Sequence, residues 1–441
     1  MKKILKRALP HRWLSAYHYL TALLAAIAYG FPAKKMIVIG VTGTKGKTTT
    51  ANFIWACLMA GGYKTGMIGT ANIRIGEREF LNSYHMTMPG RFIIQKLMAE
   101  MVKSGCTHCI VETTSEGIKQ YRHIGISYDI GVFTNLTPEH LPSHGGSFET
   151  YKAMKGVMFA ALSSHRKTIK GKSIKKVIIA NNGSEHAGYY LRFPADRKIT
   201  FAVSGSADII ADHVKETEGG VYFEIAHAPF ALRILGKFNI ANALPAIIIA
   251  RLFGVNDQTI AQGLNELRVI PGRMEQIVEG QQFIVLVDYA HEKQSITNVL
   301  QTANAMKGPD ARTIILLGAE GGGRDRAKRP IMGELAATMA DYVIVSNVDP
   351  YDDDPGQIAE DIAVSAEKFG KVRNKNLFVI EDRREGIRKA LAMAQAHDIV
   401  LITGKGAEQS IVIGGKSSHW DDRIVVREEL YRLLSTQQSP A

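Results

Sequence analysis

The pattern of apolar and polar positions divides the chain into alternating periods. Residues 36–41 form an apolar, β-branched run that breaks into a glycine-rich turn, and residues 53–59 then repeat apolar positions at helical spacing. That order predicts a strand, a turn and a helix. Strand signals follow around residues 65–70 and at Cys109-Ile110-Val111, with a helical stretch at 92–103 between them. A strand opens at Asp129, a helix is expected over 149–162 and a strand over 176–180. Residues 199–235 alternate short β-type runs with turns, and 236–242 lead into an apolar helix. Beyond Pro271 the rhythm restarts, with strands at 283–287, 313–317, 342–345, 377–380 and 399–403 separated by helices at 295–306, 332–339, 358–369 and 385–395. Strands alternating with helices over short connections predict parallel sheets covered on both faces.

The first turn carries chemistry. Gly43-Thr44-Lys45-Gly46-Lys47-Thr48-Thr49 stands between a strand and a helix, where backbone N–H groups of a glycine-rich turn cradle an anion. Lys47 adds a full charge for β- and γ-phosphates, and Thr48 or Thr49 would hold Mg²⁺ through a hydroxyl. Val41 occupies the place where the common phosphate-loop pattern has its first glycine, so this loop is a variant. The expected fold class is α/β: a central P-loop ATPase-type parallel sheet domain over 34–270 and a C-terminal Rossmann-like, doubly wound domain over 271–441.

With 441 residues, 46% hydrophobic, the chain is long enough for two or three cores, and this excludes a disordered or fibrous class. The formal charge of +12 calls for anionic partners, yet much of the excess sits in short runs, at Lys2 to Arg12 and at 166–176. The second run reads as a solvated loop, and no nucleic-acid partner is expected. Cys57, Cys106 and Cys109 cannot form a disulfide framework and read as buried structural thiols in a reducing cytoplasm. Residues 13–31 are uncharged and mostly apolar after a basic start. A spanning helix there would put the nearby phosphate loop outside the cell by the positive-inside rule. A basic, apolar helix over residues 1–33, packed on the nucleotide domain and able to touch a membrane surface, is expected instead.

Glu112 ends a short buried strand beside the phosphate-loop strand, where such folds place a Mg²⁺ ligand. His140 and His144 lie on the loop after the next strand. Lys155 sits among Ala153, Met154, Val157 and Met158, which by itself describes a snorkelling side chain.

Taken in order, residues 41–50, Glu112, Thr134-Asn135-Leu136 with His140, residues 236–242, Pro271-Gly272-Arg273-Met274-Glu275, Val287-Asp288-Tyr289-Ala290-His291 and Gly404-Lys405-Gly406 resemble the Mur ligases. Gly321-Gly322-Gly323-Arg324-Asp325 with Lys328-Arg329-Pro330 is similar to the UDP-MurNAc-tripeptide synthetase branch, which adds the third residue. The resemblance implies a cytoplasmic, ATP-dependent acid–amino-acid ligase of peptidoglycan biosynthesis that works through an acyl phosphate and releases ADP and phosphate. It implies two Mg²⁺ ions and a carbamylated Lys155 that joins Thr48, Glu112 and His140 as metal ligands. Lys47, Lys155, His140 and Arg273 become the catalytic candidates, with Arg273 reaching the γ-phosphate. Asn239 and Asn242 match positions near the adenine and Asp288 the ribose contact, so closure of the two domains around ATP is expected. Thr87 and Arg122 match acceptor-contacting places, and Arg324, Asp349, Tyr351, Gly404 and Glu408 the amino-acid site. The implied partners are a free amino acid and a peptide-bearing acceptor such as UDP-MurNAc-dipeptide.

The chain departs from that family at several points. About forty residues precede the phosphate loop where the tripeptide synthetases carry a uridine-nucleotide-binding domain, so a missing domain and a differently held acceptor are expected, with a peripheral location at the inner membrane face. Val348-Asp349-Pro350-Tyr351 aligns with D-N-P-R, whose arginine pairs with the distal carboxylate of diaminopimelate. Tyr351 cannot make that bidentate contact, and Asp349 with Asp352, Asp353 and Asp354 adds negative charge, so a lysine-like side chain is expected over diaminopimelate. Ala407 stands where the family has histidine, Thr113-Thr114-Ser115 replaces a Ser-Ser-His stretch, and Thr87-Met88-Pro89 replaces Thr-Thr-Pro. A ligase extending a polyglutamate or a pseudomurein-type peptide, and a non-catalytic nucleotide-binding partner subunit, are the alternative readings.

Overall fold

A computed structural model describes residues 11–84, 86–139, 141–164, 166–217 and 219–438. His140 lies outside the described residues. Contacts divide the chain into two compact units: residues 1–215, 222–232 and 239–267 form the first, and residues 216–221, 233–238 and 268–441 the second.

The first unit begins with helix α1 (His11–Ala28). Strand β1 (Ile37–Thr42) leads into α2 (Lys47–Ala60). There follow β2 (Thr65–Ile68), β3 (Asn72–Ile75), β4 (Arg78–Leu81), α3 (Arg91–Lys103), β5 (His108–Glu112), α4 (Ser115–Lys119), β6 (Ile130–Phe133) and α5 (Phe148–Ser163). A hairpin of β7 (Lys167–Ile169) and β8 (Lys172–Ile174) precedes β9 (Val177–Asn181), β10 (Arg197–Ala202) and β11 (Ile209–Ile210). The main sheet has the order β11-β10-β9-β6-β1-β5-β2-β3-β4. It is parallel from β11 to β2. β3 and β4 extend it antiparallel, a hairpin edge that short apolar runs did not reveal. β1 lies between β5 and β6, so the turn after it opens at the carboxyl ends of three neighbouring strands.

The basic run 166–176 is a hairpin solvated only in part: Arg166, Lys170, Lys172 and Lys175 are exposed. Lys167 and Lys176 are buried, and their ammonium groups lie 2.5 Å and 2.8 Å from the two oxygens of Asp129. Asp129 also accepts the backbone N–H of Val38, so a fully buried carboxylate finds partners on both oxygens. Burial of an acid beside the sheet decided the fate of that loop, and charge pattern alone could not show it.

A three-stranded sheet of β12 (Asp212–Thr217), β13 (Gly220–Ile225) and β14 (Ala228–Leu232) stands apart in the order β12-β13-β14. It precedes α6 (Asn239–Leu252) and α7 (Asp257–Glu266), which pack on α2.

The second unit holds β15 (Glu275–Ile277), β16 (Ile284–Asp288), α8 (Lys293–Met306), β17 (Thr313–Leu317), α9 (Lys328–Met339), β18 (Tyr342–Val345), α10 (Pro355–Lys368), β19 (Leu377–Val379), α11 (Arg383–Met393) and β20 (Ile399–Thr403). The hairpin β21 (Ser410–Ile413) and β22 (Lys416–His419) and helix α12 (Asp422–Gln438) close the described chain. The sheet order is β15-β16-β20-β17-β18-β19, antiparallel only at β15. Alternate residues of each strand feed two cores: Leu286, Ile315 and Leu317 pack with α8, α9 and α10 on one face, and Val285, Val287, Ile314 and Leu316 with α11 and α12 on the other. That is a doubly wound domain.

Candidate active site

The turn after β1 is shaped for close approach. Gly46 has φ +81°, and a Cβ there would lie 2.1 Å from Oδ1 of Asn242; a Cβ on Gly43 would lie 2.0 Å from Oγ1 of Thr134. Strand β6 supports the loop from below. Asn135 accepts the N–H of Lys45 on its side chain and that of Thr44 on its backbone, and Thr134 donates to the Lys45 carbonyl. Lys45 itself pairs with Glu139 at 2.8 Å. Asn239 and Asn242, on the first turn of α6, are joined by a 2.8 Å hydrogen bond, and Asn242 sits against Gly46. Gly46→Ala is expected to weaken ATP binding about tenfold or more and to cost the first unit about 1–2 kcal/mol, because it forces both a left-handed backbone and a clash. ATP titration and thermal unfolding measure the two effects.

Two lysines converge on this loop. Lys47 Nζ donates to the carbonyls of Gly43 and Thr44, and Lys155 Nζ, from α5, donates to the same Gly43 carbonyl at 2.9 Å. Lys155 is 2% exposed and lies 4.5 Å above the Tyr151 ring, so it does not snorkel to water. Burial, reinforced by the charge of Lys47, presses its pKa well below the usual lysine range, with Glu139 opposing. On the other side of the loop, Thr48 donates to Glu112 Oε2 at 3.0 Å, and Glu112 is fully buried at the end of β5. Thr49 is buried on the first turn of α2.

Thr70, which no motif singles out, links two candidate site residues, Glu112 and Thr87. Its N–H and hydroxyl both bond Glu112, at 2.9 Å each, and its hydroxyl lies 2.9 Å from that of Thr87. A chain thus runs from Thr48 through Glu112 and Thr70 to Thr87. Arg122, half-buried, donates to the Met88 carbonyl and to Gln120 Oε1. Thr113 pairs with the Tyr128 hydroxyl and Thr114 caps α4, so both substitutions in that stretch have structural partners. Thr70→Val is expected to raise the acceptor KM about fivefold while leaving the ATP KM near its original value, and Thr70→Ser to restore it. Initial rates against each substrate are the measurement.

In the second unit, Asp288 ends β16 and accepts backbone N–H groups from Met274 and Ala290, each at 2.7 Å. Arg273 lies 4.5 Å over the Tyr289 ring. Tyr289 donates to Glu408 Oε1 at 3.1 Å. Arg324 is paired with Glu320 at 3.7 Å, and that carboxylate, together with a bond to Tyr351, raises its pKa against the opposing effect of burial. Tyr351 adopts φ +54°, and its ring lies against Gly322, where a Cβ would meet it at 2.8 Å.

Asp349, expected to offer negative charge to a substrate amine, is engaged within the chain instead. Its Oδ2 lies 2.7 Å from Lys405 Nζ, its Oδ1 accepts the Val412 N–H, and it is 5% exposed. Lys405 also reaches Glu408 at 2.6 Å. Burial works against its charge, but Glu408 and Asp349 hold its pKa above the usual value. Asp354 caps α10 and Asp353 lies 3.5 Å from Arg326. Asp349 and Asp353 therefore face counter-charges within the chain, while Asp352 and Asp354 are exposed. Lys405 stands in the sequence only as part of the Gly404-Lys405-Gly406 motif, because a lysine between two glycines carries no periodicity signal of a role.

Residues 41–250 match the Mur ligase middle domain and residues 272–406 the Mur ligase glutamate ligase domain. The chain is 36% identical over 422 residues to the UDP-N-acetylmuramoyl-L-alanyl-D-glutamate–2,6-diaminopimelate ligase of Bacillus cereus, covering 95% of this chain and 82% of that protein. It is also 36% identical over 420 residues to the UDP-N-acetylmuramyl-tripeptide synthetase of a Roseiflexus species, covering 93% and 82%. A solved diaminopimelate ligase of the same type superposes with TM-score 0.59 at 29% identity, over 90% of this chain and 79% of that one. The folylpolyglutamate synthase of Mycobacterium tuberculosis, at 17% identity and TM-score 0.66 over 96% of both chains, shares the fold. Phosphate loop, paired sheets and both domain matches agree: the chain belongs to the Mur ligase family of ATP-dependent amide-forming enzymes.

Proposed function

We propose that the chain joins a free amino acid to the carboxylate of a peptidyl acceptor in peptidoglycan stem-peptide synthesis, with ATP cleaved to ADP and phosphate. The acceptor in this reading is of the UDP-MurNAc-dipeptide kind, and the site of action is the cytoplasm, at the inner membrane face. The observation that carries the proposal is the convergence of Lys47 and Lys155 on the Gly43 carbonyl, beside the Thr48–Glu112 pair.

The residues fit the groups the family uses. Gly43 and Gly46 leave a cradle that a Cβ would fill, and Thr48 and Glu112 supply the hard oxygen donors that Mg²⁺ prefers. His140 is the further ligand we assign. Mg²⁺, when bound, withdraws charge from the transferring phosphoryl group. The loop N–H groups and Lys47 hold the phosphates in line with the acceptor carboxylate. An acyl phosphate forms and phosphate then leaves as the amine attacks. Arg273 and Asp288 are assigned to the γ-phosphate and ribose. Arg324 is assigned to the α-carboxylate of the amino acid, and Gly404 and Glu408 to its amine.

Lys155 is the residue we assign to carbamylation. Burial and Lys47 press the pKa of Lys155 well below the usual lysine range, which favours the neutral amine that attacks CO₂; the N–C bond forms, the amine proton leaves to solvent, and the product is an anion beside Lys47. The amino acid is the less determined substrate. With Asp349 already paired, the preference rests on Tyr351, which offers no guanidinium to a distal carboxylate, and we place lysine-like or uncharged side chains ahead of diaminopimelate.

The test is phosphate release and product mass with Mg·ATP, a panel of stem peptides with and without UDP, and each amino acid in turn. Phosphate release that depends on both an acceptor and an amino acid is expected. Release with neither, or none with any pair, would sink the reading.

A further inference from the structure

Helix α1 is amphipathic in the inverse sense. The side it buries is made of small residues: Ala22, Ala25 and Ala26 are at most 1% exposed, and Ala26 packs so closely on Gly125 that a Cβ there would lie 2.5 Å away. The large apolar residues point outward. Trp13, Tyr17, Leu20, Leu24 and Ile27 are 70, 58, 56, 58 and 54% exposed, and their spacing of four, three, four and three residues lines them along one stripe. Packing on the first unit therefore explains the alanines and, apart from Tyr17 near Arg91, leaves the stripe without a partner among the described residues.

Charge indicates what covers it. The sequence has no Asp or Glu before Glu77, while Lys2, Lys3, Lys6, Arg7, Lys34 and Lys35 flank the helix and Arg12 belongs to it. A second copy laid on the stripe would bring two such cationic segments together. An anionic surface would neutralise them, and Trp and Tyr beside Leu and Ile are the side chains that settle at the boundary of headgroups and acyl chains. No helix among the described residues is long and apolar enough to cross a membrane.

We propose that α1 is an interfacial docking helix, lying in the plane of an anionic lipid bilayer with the stripe from Trp13 to Ile27 inserted among the headgroups. Its position adds a consequence that rests on the ligase reading. Tyr19 stands edge-on to Tyr121 at 6.0 Å and Tyr17 lies near Arg91, so the helix adjoins the segment that carries Arg122. Docking would hold the acceptor-contacting residues at the bilayer surface.

The test uses the full chain and sedimentation with vesicles of phosphatidylcholine alone or mixed with phosphatidylglycerol, at low and high salt. Binding to the anionic vesicles at least about tenfold above the neutral ones, reduced by salt, is expected. Leu20→Glu with Leu24→Glu should remove about tenfold or more of it. Both positions face outward, so phosphate release with a soluble acceptor should not change. Trp13→Ser is the second variant and should lower binding without altering the helical circular dichroism. Equal vesicle binding by wild type and both variants would overturn the proposal. So would absent binding together with a dimer that the double variant dissociates, which would make the stripe a self-association face. Vesicle binding needs no turnover, so failure of the ligase reading leaves this result intact.

Discussion

Lys155→Ala is expected to lower turnover about a hundred- to thousandfold while leaving ATP affinity within a few fold. The side chain is buried, bonds the phosphate-loop carbonyl that Lys47 also bonds, and is depressed in pKa by that burial and that neighbour. Truncation removes a group bonded to the Gly43 carbonyl without opening the loop, because Thr134 and Asn135, just after β6, still hold it. If the working form is the carbamate, wild-type activity should fall in CO₂-free buffer and return on adding bicarbonate, and intact mass should rise by one CO₂. Recovery should be faster at higher pH, since only the neutral amine reacts with CO₂. An alanine variant with unchanged turnover would favour a nucleotide-binding subunit without catalysis. A bicarbonate-independent wild type would keep Lys155 as a cationic phosphate ligand.

Arg383→Met is expected to destabilise the second unit by about 3–5 kcal/mol. Arg383 and Asp422 are both 0% exposed at the side chain and bonded twice, at 2.8 Å and 2.7 Å. The same guanidinium donates to the carbonyls of Asn347, after β18, and Thr403, the last residue of β20. It thereby ties together the strand ends from which Val348-Asp349-Pro350-Tyr351 and Gly404-Lys405-Gly406-Ala407-Glu408 emerge. Removing it strands a buried carboxylate and frees two carbonyls at once. Arg383→Met combined with Asp422→Leu should cost less than the single change, and amino-acid KM should rise in both. Chemical denaturation of the three proteins and initial rates against amino acid check this. A single variant as stable as wild type would show that the pair adds nothing.

How much could be read in advance varied with the range of the interactions. The strands β17, β18 and β20 matched their predicted bounds because a strand buried on both faces is a continuous apolar run. The hairpin β3–β4 escaped because Asn72-Ile73-Arg74-Ile75 alternates over only four residues and the edge strand β4, with Arg78 and Glu79, is mostly exposed. Phosphate-loop residues were legible from local spacing, since backbone geometry there is dictated by Gly43 and Gly46. Lys155 had no meaning by spacing, and the family likeness singled it out. Only the fold shows the length of its reach, from α5 to a carbonyl 112 residues earlier in the chain.

By itself the sequence determined the alternation of strands and helices, the anion-cradling turn and the order of motifs that marks a Mur ligase, because each of these depends on neighbours within a turn or a strand. Tertiary structure decided the rest. It placed Thr70 between Glu112 and Thr87, gave Asp349 an internal partner in Lys405, buried Lys167 and Lys176 on Asp129, and turned the large side chains of α1 outward. The physical reason is common to all four: a charge or an apolar face takes its role from what lies across from it, and those partners come from distant parts of the chain.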